Sequence, residues 1–376
     1  MNIVMVTNNY SPYSGGVVSS INAQVDALQK LGHIVTLITL DFSGKNYQDP
    51  TWVKRLYCPI TFIYKKNHMA IPWRAKKQIR QLISEIKPDI VHVHHPFLLG
   101  HSAMQVAKQM HIPMIFTYHT IYEAYAHYIP LPQAFVKKIT TYSVLKFCRQ
   151  VDGIIAPSSS IQDYLIDNTI ETPIKVIPSG LLSIFLPTHI KKRPVENGML
   201  HLLVVSRMTK EKNIKAILHV AQQLIEQNVL FQLKLIGFGV EYDHLREYAF
   251  EQLRLPKDVV QFIYKPSKNE IEQAYQSADM FLFPSKTDTQ GLVLAEAMAA
   301  GAPVIAFDGA GQRDIIKQAQ NGYIVVNEGE MVDVIKELAH SPEQLSLLSE
   351  YAHETGQNYK PAVLAQKLIQ FYQCFL

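Results

Sequence analysis

Several features that assign chains to common protein classes are missing from these 376 residues. No run of about 18 uncharged apolar residues occurs, so the sequence predicts no membrane-spanning helix. The three cysteines, Cys58, Cys148 and Cys374, are scattered and lack the spacing of metal ligands, which favours a reducing cytoplasmic setting over a disulfide scaffold. The chain starts directly with a strand-like run and no basic segment precedes it, so we expect no signal peptide.

Two motifs of nucleotide-using enzymes are also missing. The chain contains no Asp-x-Asp pair, so a diphosphate bridged to the protein by a metal is not expected. Gly237 and Gly239 begin a GxGxxG-like pattern that fails at Tyr242, which removes the main support for a dinucleotide-dependent oxidoreductase. The net charge of +4 is mild and does not indicate a nucleic-acid partner.

Apolar runs of strand length alternate with helical segments, which predicts parallel α/β sheets. The length predicts two domains, each large enough to form its own core. A linker at 186–198 contains two prolines and a basic cluster, and a new apolar strand follows it at once. We therefore place one domain at 1–186 and a second at 199–360.

The most informative stretch is 281–303, FLFPSKTDTQGLVLAEAMAAGAP, which predicts a strand, a polar loop and a helix. Backbone N–H groups at the start of such a helix favour an anion, and Gly291 lets a ligand approach closely. Asp288 and Glu296 flank this helix start with seven residues between them. Carboxylates around an anion site fit a nucleotide sugar, which carries its phosphates between two hydroxyl-bearing ends. Solvated acids at an ordinary helix end are the alternative.

A second motif, SRMTKEKN at 206–213, places Arg207 and Lys212 beyond a predicted strand and before a predicted helix. An arginine fork and a lysine point charge can hold a diphosphate without a metal. Surface charge is the alternative, but a lysine at a helix start opposes the helix dipole, so a bound anion explains the placement better.

The first half offers weaker signals. Gly15 and Gly16 occupy a strand-to-helix turn that could approach a phosphate, although a plain turn explains them equally well. His119 ends a predicted strand, at the edge where open α/β sheets bind ligands. His92 and His94 alternate onto one strand face and could ligate a metal, or simply form the polar end of that strand.

Two segments are basic and amphipathic. The segment 65–87 contains seven cationic residues and a single acid, with apolar residues at roughly helical spacing, and 135–149 repeats the pattern more weakly. A basic amphipathic helix containing Trp73 predicts contact with a membrane surface. Ordinary helices with solvated lysines are the alternative.

These motifs resemble those of the retaining GT-B glycosyltransferases of glycosyltransferase family 4. The stretch from Asp288 to Glu296 is similar to the Glu-x7-Glu motif of that family, with Asp288 where the family usually has its first Glu. Arg207 and Lys212 match the pair that stabilises the departing nucleoside diphosphate, and His119 matches the active-site histidine. The resemblance covers nearly the whole chain. It implies the GT-B fold, with two Rossmann-like α/β domains facing across a cleft and a C-terminal helix, 361–376, crossing back to the first domain.

By resemblance, the reaction is a metal-independent transfer of a hexose from a nucleoside-diphosphate sugar, with retention and without a cofactor. The implied catalytic residues are His119, Arg207, Lys212 and Asp288. The implied donor-binding residues are Gly15, Gly16, Arg207, Lys212, Tyr264, Asp288, Thr289, Gln290, Gly291, Leu292, Val293 and Glu296. The expected membrane contacts are Trp73, Arg74, Lys76, Lys77, Arg80, Lys137 and Lys138.

The wording SKTDTQGL and FTYHTIYEAYAHYIP is similar to bacterial diacylglycerol glucosyltransferases. The favoured hypothesis is therefore transfer from a UDP-hexose, such as UDP-glucose, to a lipid such as diacylglycerol. We expect a cytoplasmic protein, peripheral on the inner face of the cell membrane. The alternatives are a soluble or polysaccharide acceptor, and a nucleotide-sugar-binding protein without catalysis.

Overall fold

The structure, a computed structural model, describes residues 1–12, 15–42, 48–64, 67–122, 132–187, 190, 198–309 and 311–376. The chain divides into two compact units. The first comprises Met1–Gly180 together with Pro361–Leu376, and the second comprises Leu181–Lys360. Each unit contains its own parallel sheet covered by helices, and the C-terminal helix belongs to the first unit.

The first unit contains a seven-stranded sheet in the order β3-β2-β1-β6-β7-β8-β9, and every pairing in it is parallel. Its strands are β1 (Asn2–Val6), β2 (Ile34–Leu40), β3 (Val53–Leu56), β6 (Ile90–Val93), β7 (Met114–Thr117), β8 (Gly153–Ala156) and β9 (Ile174–Val176). Its helices are α1 (Gly16–Lys30), α2 (Ala75–Ile86), α3 (Leu99–Met110), α4 (Gln133–Cys148), α5 (Ser159–Asp167) and α13 (Pro361–Gln373).

The second unit contains a six-stranded parallel sheet in the order β12-β11-β10-β13-β14-β15. Its strands are β10 (Leu200–Val205), β11 (Phe231–Gly237), β12 (Val260–Tyr264), β13 (Met280–Phe283), β14 (Val304–Phe307) and β15 (Gly322–Val325). Its helices are α6 (Ile214–Glu226), α7 (Tyr242–Glu247), α8 (Lys268–Ser277), α9 (Leu292–Ala299), α10 (Gln312–Ile315), α11 (Glu328–Ala339) and α12 (Pro342–Gln357). This strand order is that of the Rossmann fold.

The central strands of both sheets are mostly apolar and largely buried because helices cover both faces. The four residues of β13 are all buried, as are those of β6 and β14. Helix ends are fixed by local side chains: Ser267 and Glu270 form a capping box on α8, and Asn327 caps α11. No helix in the described parts of the chain has the length and apolarity needed to span a bilayer.

The prediction of one basic amphipathic helix across 65–87 is wrong for its first half. Strands β4 (Ile60–Tyr64) and β5 (Asn67–Ile71) form an antiparallel hairpin outside the main sheet, and α2 begins only at Ala75. β-branched and aromatic residues in β4 favour the strand, while Pro72 and the left-handed backbone of Arg74 delay the helix. Trp73 therefore precedes the helix, and Lys65 and Lys66 lie outside the described residues.

The division between the units falls after Gly180, earlier than the proline-containing linker predicted at 186–198. The reason is that Leu181 and Phe185 already pack into a core of the second unit, where the Phe185 ring contacts Tyr275 edge-on. The linker itself lies mostly outside the described residues.

Helix α12 packs against the C-terminal end of α9. The Ser349 hydroxyl donates to the Gly301 carbonyl at 2.6 Å, and His353 Nδ1 lies 2.7 Å from the Ala299 carbonyl, so α12 supplies partners for carbonyls that α9 leaves unpaired at its end. Gly356 makes the close approach possible, because a Cβ atom there would lie 2.3 Å from the backbone of Ala299.

We expect Gly356→Ala to lower the free energy of unfolding by about 1–3 kcal/mol, because the added methyl group must push α12 away from backbone atoms that cannot yield. Urea denaturation of the full chain measures the effect. Gly329→Ala is the matched control, since Gly329 also lies in a helix but its nearest neighbour is a side-chain oxygen at 3.3 Å. Equal stability of the two variants would contradict this account.

Candidate active site

The candidate site of the second unit lies where its strand order reverses. Strand β10 has β11 on one side and β13 on the other. The loop 206–213 follows β10, and the loop 284–291 follows β13. Open α/β sheets bind ligands at this switch point, outside the carboxyl ends of the strands. The two motifs found in the sequence are therefore adjacent in space.

The central contact of this site is an ion pair between the two motifs. Lys212 Nζ lies 2.5 Å from Asp288 Oδ1, and both side chains are largely buried, with 10% and 21% of their surface exposed. The second oxygen of Asp288 is buried without a hydrogen-bond partner among the described residues. The sequence predicts that Lys212 binds the anion of a ligand, whereas in the structure it already forms an ion pair with Asp288.

Arg207 is likewise beside a carboxylate, which sequence analysis missed. Its guanidinium lies 3.6 Å from Glu211, whose side chain is only 7% exposed. Within the described part of the chain, neither oxygen of Glu211 accepts a hydrogen bond. The only signal in the sequence is an acid between two lysines in KEK, at 210–212, a pattern that surface turns share.

The helix start predicted at Gly291 is confirmed. Gly291 is the N-cap residue of α9 with φ of 69°, a left-handed conformation that favours glycine, and Leu292 and Val293 form the first turn. Thr289 and Gln290 precede it. The loop after β14 closes over this segment: the Gly311 N–H donates to the Asp288 carbonyl at 3.1 Å, and a side chain at Gly311 would collide with the backbone of Gln290.

Glu296 lies in the second turn of α9, and its partner is Tyr275 of α8, another residue that sequence analysis missed. The Tyr275 hydroxyl donates to Glu296 Oε2 at 2.8 Å. Burial raises the pKa of Glu296 to about 7, and the bond from Tyr275 opposes that rise. Burial and the neighbouring carboxylate raise the pKa of Tyr275 well above its usual value, so this hydroxyl stays a donor.

Tyr264 is exposed at the end of β12, an edge strand. Its ring contacts Tyr242 edge-on at 4.8 Å, and Lys265 Nζ lies 5.2 Å from the ring centre. An exposed aromatic ring held from one side can stack with a nucleobase on the other.

In the first unit, His119 follows β7 and contacts His94, which follows β6. The rings are stacked, and His94 Nδ1 lies 2.9 Å from His119 Nε2. Burial, aided by neighbouring histidines, lowers the pKa of His119 to about 3 and that of His94 well below its usual value. Both rings are therefore neutral at neutral pH, and one donates to the other. His94 thus fixes the orientation of the predicted active-site histidine.

His92 lies on the same strand face as His94, as the alternation predicted, but its ring is fully engaged. Its Nε2 lies 2.6 Å from the Thr117 hydroxyl, and its Nδ1 lies 2.6 Å from the Tyr372 hydroxyl of α13. His92 therefore ties the C-terminal helix to the sheet of the first unit. Among the described residues, no group of three or more His, Cys, Asp or Glu is arranged to hold a metal ion.

The remaining predicted residues of the first unit lie at its surface or at turns. Gly15 precedes α1 and its carbonyl accepts from the Ser19 N–H, while Gly16 begins the helix. Lys137 and Lys138 are exposed on α4, next to exposed Phe135. Arg74 is the N-cap residue of α2, and within that helix Lys77 and Arg80 are exposed whereas Lys76 is half-buried.

Comparison with known protein families matches both parts of the chain. Residues 14–181 match the model described as Glycosyltransferase Family 4, and residues 187–355 match Glycosyl transferases group 1. The alpha-monoglucosyldiacylglycerol synthase of Streptococcus pneumoniae is 30% identical over 90% of this chain and 78% of that protein. The enzyme of the same name from Acholeplasma laidlawii is 27% identical over 99% of this chain and 96% of its own length.

Solved structures support the same fold. A sucrose-phosphate synthase from Thermosynechococcus elongatus has a TM-score of 0.79 at 18% identity, covering 99% of this chain and 98% of its own. The Anabaena protein HepE in complex with UDP-glucose has a TM-score of 0.76 at 15% identity, covering 99% of both chains. With both halves of its length matched to family models and with these relatives, the chain is a GT-B glycosyltransferase and belongs to glycosyltransferase family 4.

Proposed function

We propose that this protein is a retaining, metal-independent glycosyltransferase that moves glucose from UDP-glucose to a lipid acceptor such as diacylglycerol at a membrane surface. The observation that carries the donor half of this proposal is the Lys212–Asp288 ion pair at the switch point of the second sheet. A cation and a carboxylate with one unpartnered oxygen complement the two chemistries of a nucleotide sugar, which offers phosphate oxygens and hydroxyl groups.

The difficult step is the departure of a diphosphate that gains negative charge. Lys212 contacts Asp288 in the loop that leads into α9, and Arg207 lies in the same loop after β10 as Lys212. Their charges and the N–H groups of Leu292 and Val293 would stabilise that charge as it develops. On binding, Lys212 exchanges part of its contact with Asp288 for phosphate oxygens, and Glu211 keeps Arg207 oriented. The protein groups are preorganised, so little reorganisation is required during the reaction.

The other contacts follow from the same arrangement. Asp288 accepts hydrogen bonds from sugar hydroxyls, and Glu296, held by Tyr275, accepts them from the ribose diol. Tyr264 lies beside the base, and Thr289 and Gln290 line the loop between the sugar and the phosphates. From the family resemblance we assign His119 to the transferred sugar and Gly15 and Gly16 to the diphosphate.

The lipid acceptor is supported by the names of the relatives and by surface chemistry. Two relatives are alpha-monoglucosyldiacylglycerol synthases, and a third is the sulfoquinovosyl transferase SQD2 of Arabidopsis thaliana, 29% identical over 74% of this chain and 56% of that protein. Two basic surfaces, exposed except for the half-buried Lys76, fit an anionic membrane. They comprise Trp73, Arg74, Lys76, Lys77 and Arg80 on one segment, and Lys137 and Lys138 on α4.

The first test is a panel of UDP-, GDP- and ADP-hexoses with vesicles that contain diacylglycerol, in the presence of EDTA. We expect glucose transfer from UDP-glucose to the lipid, with the α configuration retained, as measured by product analysis and NMR. Loss of activity in EDTA would contradict metal independence. Transfer only to soluble acceptors would contradict the lipid acceptor, and nucleotide-sugar binding without turnover of any donor would support a non-catalytic protein.

Variants at 207–212 link that activity to the proposed site. Lys212→Ala should lower kcat/KM by about 30- to 1000-fold, which corresponds to about 2–4 kcal/mol of lost transition-state stabilisation. Lys210→Ala is the matched control, because Lys210 lies in the same turn but is exposed. Equal losses in the two variants would show that the effect is structural.

We expect Glu296→Gln to bind nucleotide less tightly than the wild type and to be more stable to unfolding at high pH. The usual pKa of this carboxyl is 4.5, so well below that pH it is protonated in both the folded and the unfolded chain. The folded chain keeps the proton up to about pH 7. Stability is therefore lost progressively as pH rises from about 4.5 to about 7, and the loss is complete above the folded pKa. We expect Glu296→Gln to be more stable than the wild type at pH 8, by at most about 3 kcal/mol, and equal to it near pH 4.

Urea denaturation across this pH range measures the difference, with the exposed Glu251→Gln as control. Calorimetry should show weaker UDP binding by Glu296→Gln, about tenfold, since a charged acceptor is lost. A stability difference that does not change with pH would contradict the raised pKa.

Neutralising the basic face of α2 should weaken binding to anionic vesicles. Each Lys or Arg near such a surface contributes about 1 kcal/mol, so Lys76→Gln/Lys77→Gln/Arg80→Gln should bind about 100-fold less tightly at low salt. The difference should fade at about 1 M salt, where charges are screened beyond about 3 Å.

Vesicle flotation measures this binding, and Lys257→Gln/Lys268→Gln/Lys360→Gln is the charge-matched control from exposed positions of the second unit. If both triple variants lose binding equally, net charge rather than this surface is responsible.

A further inference from the structure

The hairpin β4–β5 presents an apolar face that has no part in the proposed donor site. Its register pairs Ile60 with Ile71 and Phe62 with Met69. Directly paired residues of an antiparallel hairpin share a face, as do alternate residues of one strand. Ile60, Phe62, Met69 and Ile71 therefore form one continuous surface, which we call the hairpin face.

The hairpin face is open to solvent. Its four side chains are 54%, 46%, 43% and 47% exposed, respectively, although Ile, Phe and Met are usually buried. The opposite side anchors the hairpin: Ala70 is buried in the core of the first unit. A contiguous apolar surface of this kind marks an interaction site, whereas single exposed apolar residues do not.

A side-chain clamp holds the base of the hairpin against α2. The Gln78 amide donates to the Trp73 carbonyl at 2.6 Å and to the Tyr57 carbonyl at 3.1 Å, while its oxygen accepts from the Tyr57 N–H at 2.9 Å. The Trp73 N–H also donates to the Tyr57 carbonyl at 3.2 Å. Tyr57 and Trp73, both more than half exposed, are thereby fixed between the hairpin face and the first turn of α2.

The charges beside this surface identify the partner. The cations Arg74, Lys76, Lys77 and Arg80 lie within nine residues of the end of the hairpin at Ile71. The Arg74 guanidinium lies 5.6 Å from the Trp73 ring, and Glu85 is the one acid between Trp73 and the end of α2. Apolar side chains, then aromatic rings, then cations match the layers of an anionic bilayer, from acyl chains to headgroups. A purely apolar protein partner would leave these cations without a counterpart.

We propose that the hairpin face inserts into the acyl boundary of an anionic membrane, with Tyr57 and Trp73 at the headgroup level and the cations of α2 on the lipid phosphates. This inference rests on the proposed membrane function and names the element that enters the bilayer. It also divides binding into two parts: the cations act through electrostatic attraction, and the hairpin acts through burial of apolar surface, which salt does not screen.

The test compares Phe62→Thr/Met69→Thr with Ile63→Thr in the full chain. Ile63 is the matched control, because it is 68% exposed in the same strand but points to the other face. Threonine keeps strand propensity while it removes apolar surface. Flotation with phosphatidylcholine–phosphatidylglycerol vesicles should show at least about tenfold weaker binding of the double variant, at low salt and at about 1 M salt alike. Ile63→Thr should bind like the wild type.

Fluorescence gives a second measure. The chain contains two tryptophans, so a Trp52→Phe background isolates Trp73. Its emission should shift to the blue when vesicles are added, and Phe62→Thr/Met69→Thr should abolish the shift. Melting temperatures near that of the wild type establish that the variants are folded.

Three outcomes would overturn the proposal: unchanged vesicle binding by the double variant, an equal loss in Ile63→Thr, or self-association of the wild type that the double variant abolishes, which would make a second copy the partner. The donor panel keeps this failure distinct from that of the proposed function. Hairpin-dependent vesicle binding without glycosyl transfer to the lipid would refute the proposed donor and acceptor alone, and transfer to lipid without hairpin dependence would refute this inference alone.

Discussion

The parallel direction of every strand in the two main sheets is the constraint on which the rest of the structure depends. Parallel strands need a crossover segment between them, so each strand delivers its carboxyl end, and the loop that follows, to the same edge of its sheet. In the second unit this rule brings the loops after β10 and β13 together, although about 75 residues separate them in the chain. Lys212 and Asp288 meet for that reason.

The buried charged groups of the candidate site have polar partners, which limits the cost of removing them from water. Lys212 has Asp288, Arg207 has Glu211, and Glu296 has the hydroxyl of Tyr275. Each carboxylate of the first two pairs still has an oxygen without a hydrogen bond from the described residues. Such carboxylates favour a ligand whose hydroxyl groups donate hydrogen bonds to them. The same ligand must also carry oxygens that accept hydrogen bonds from Lys212 and Arg207.

Residues outside the candidate site hold the site residues and helix ends in position. Helix α12 contacts the end of α9 through Ser349 and His353, so the helix that begins at Gly291 and carries Glu296 is fixed at its far end as well. In the first unit His94 orients His119, and the Tyr372–His92–Thr117 chain attaches the C-terminal helix to the sheet. Gln78 does the same for the hairpin and α2. Contacts between residues remote in the chain therefore fix the positions of these side chains and helix ends.

The sequence by itself determined the parallel α/β architecture, the strand–loop–helix around Gly291 and the positions of Arg207, Lys212, Asp288 and Glu296. These depend on local period, helix propensity and turn chemistry, which a window of residues contains. Only the tertiary structure decided which groups pair: nothing in the local sequence assigns Tyr275 to Glu296 or His94 to His119, because these partners are remote in the chain. Glu211 is only four residues from Arg207, but the burial that distinguishes it from a surface acid comes from the fold. The hairpin formed by β4 and β5 was missed for the same reason. A short apolar run is compatible with a helix or a strand, and pairing with a second strand decides between them. No single segment of the sequence encodes that pairing.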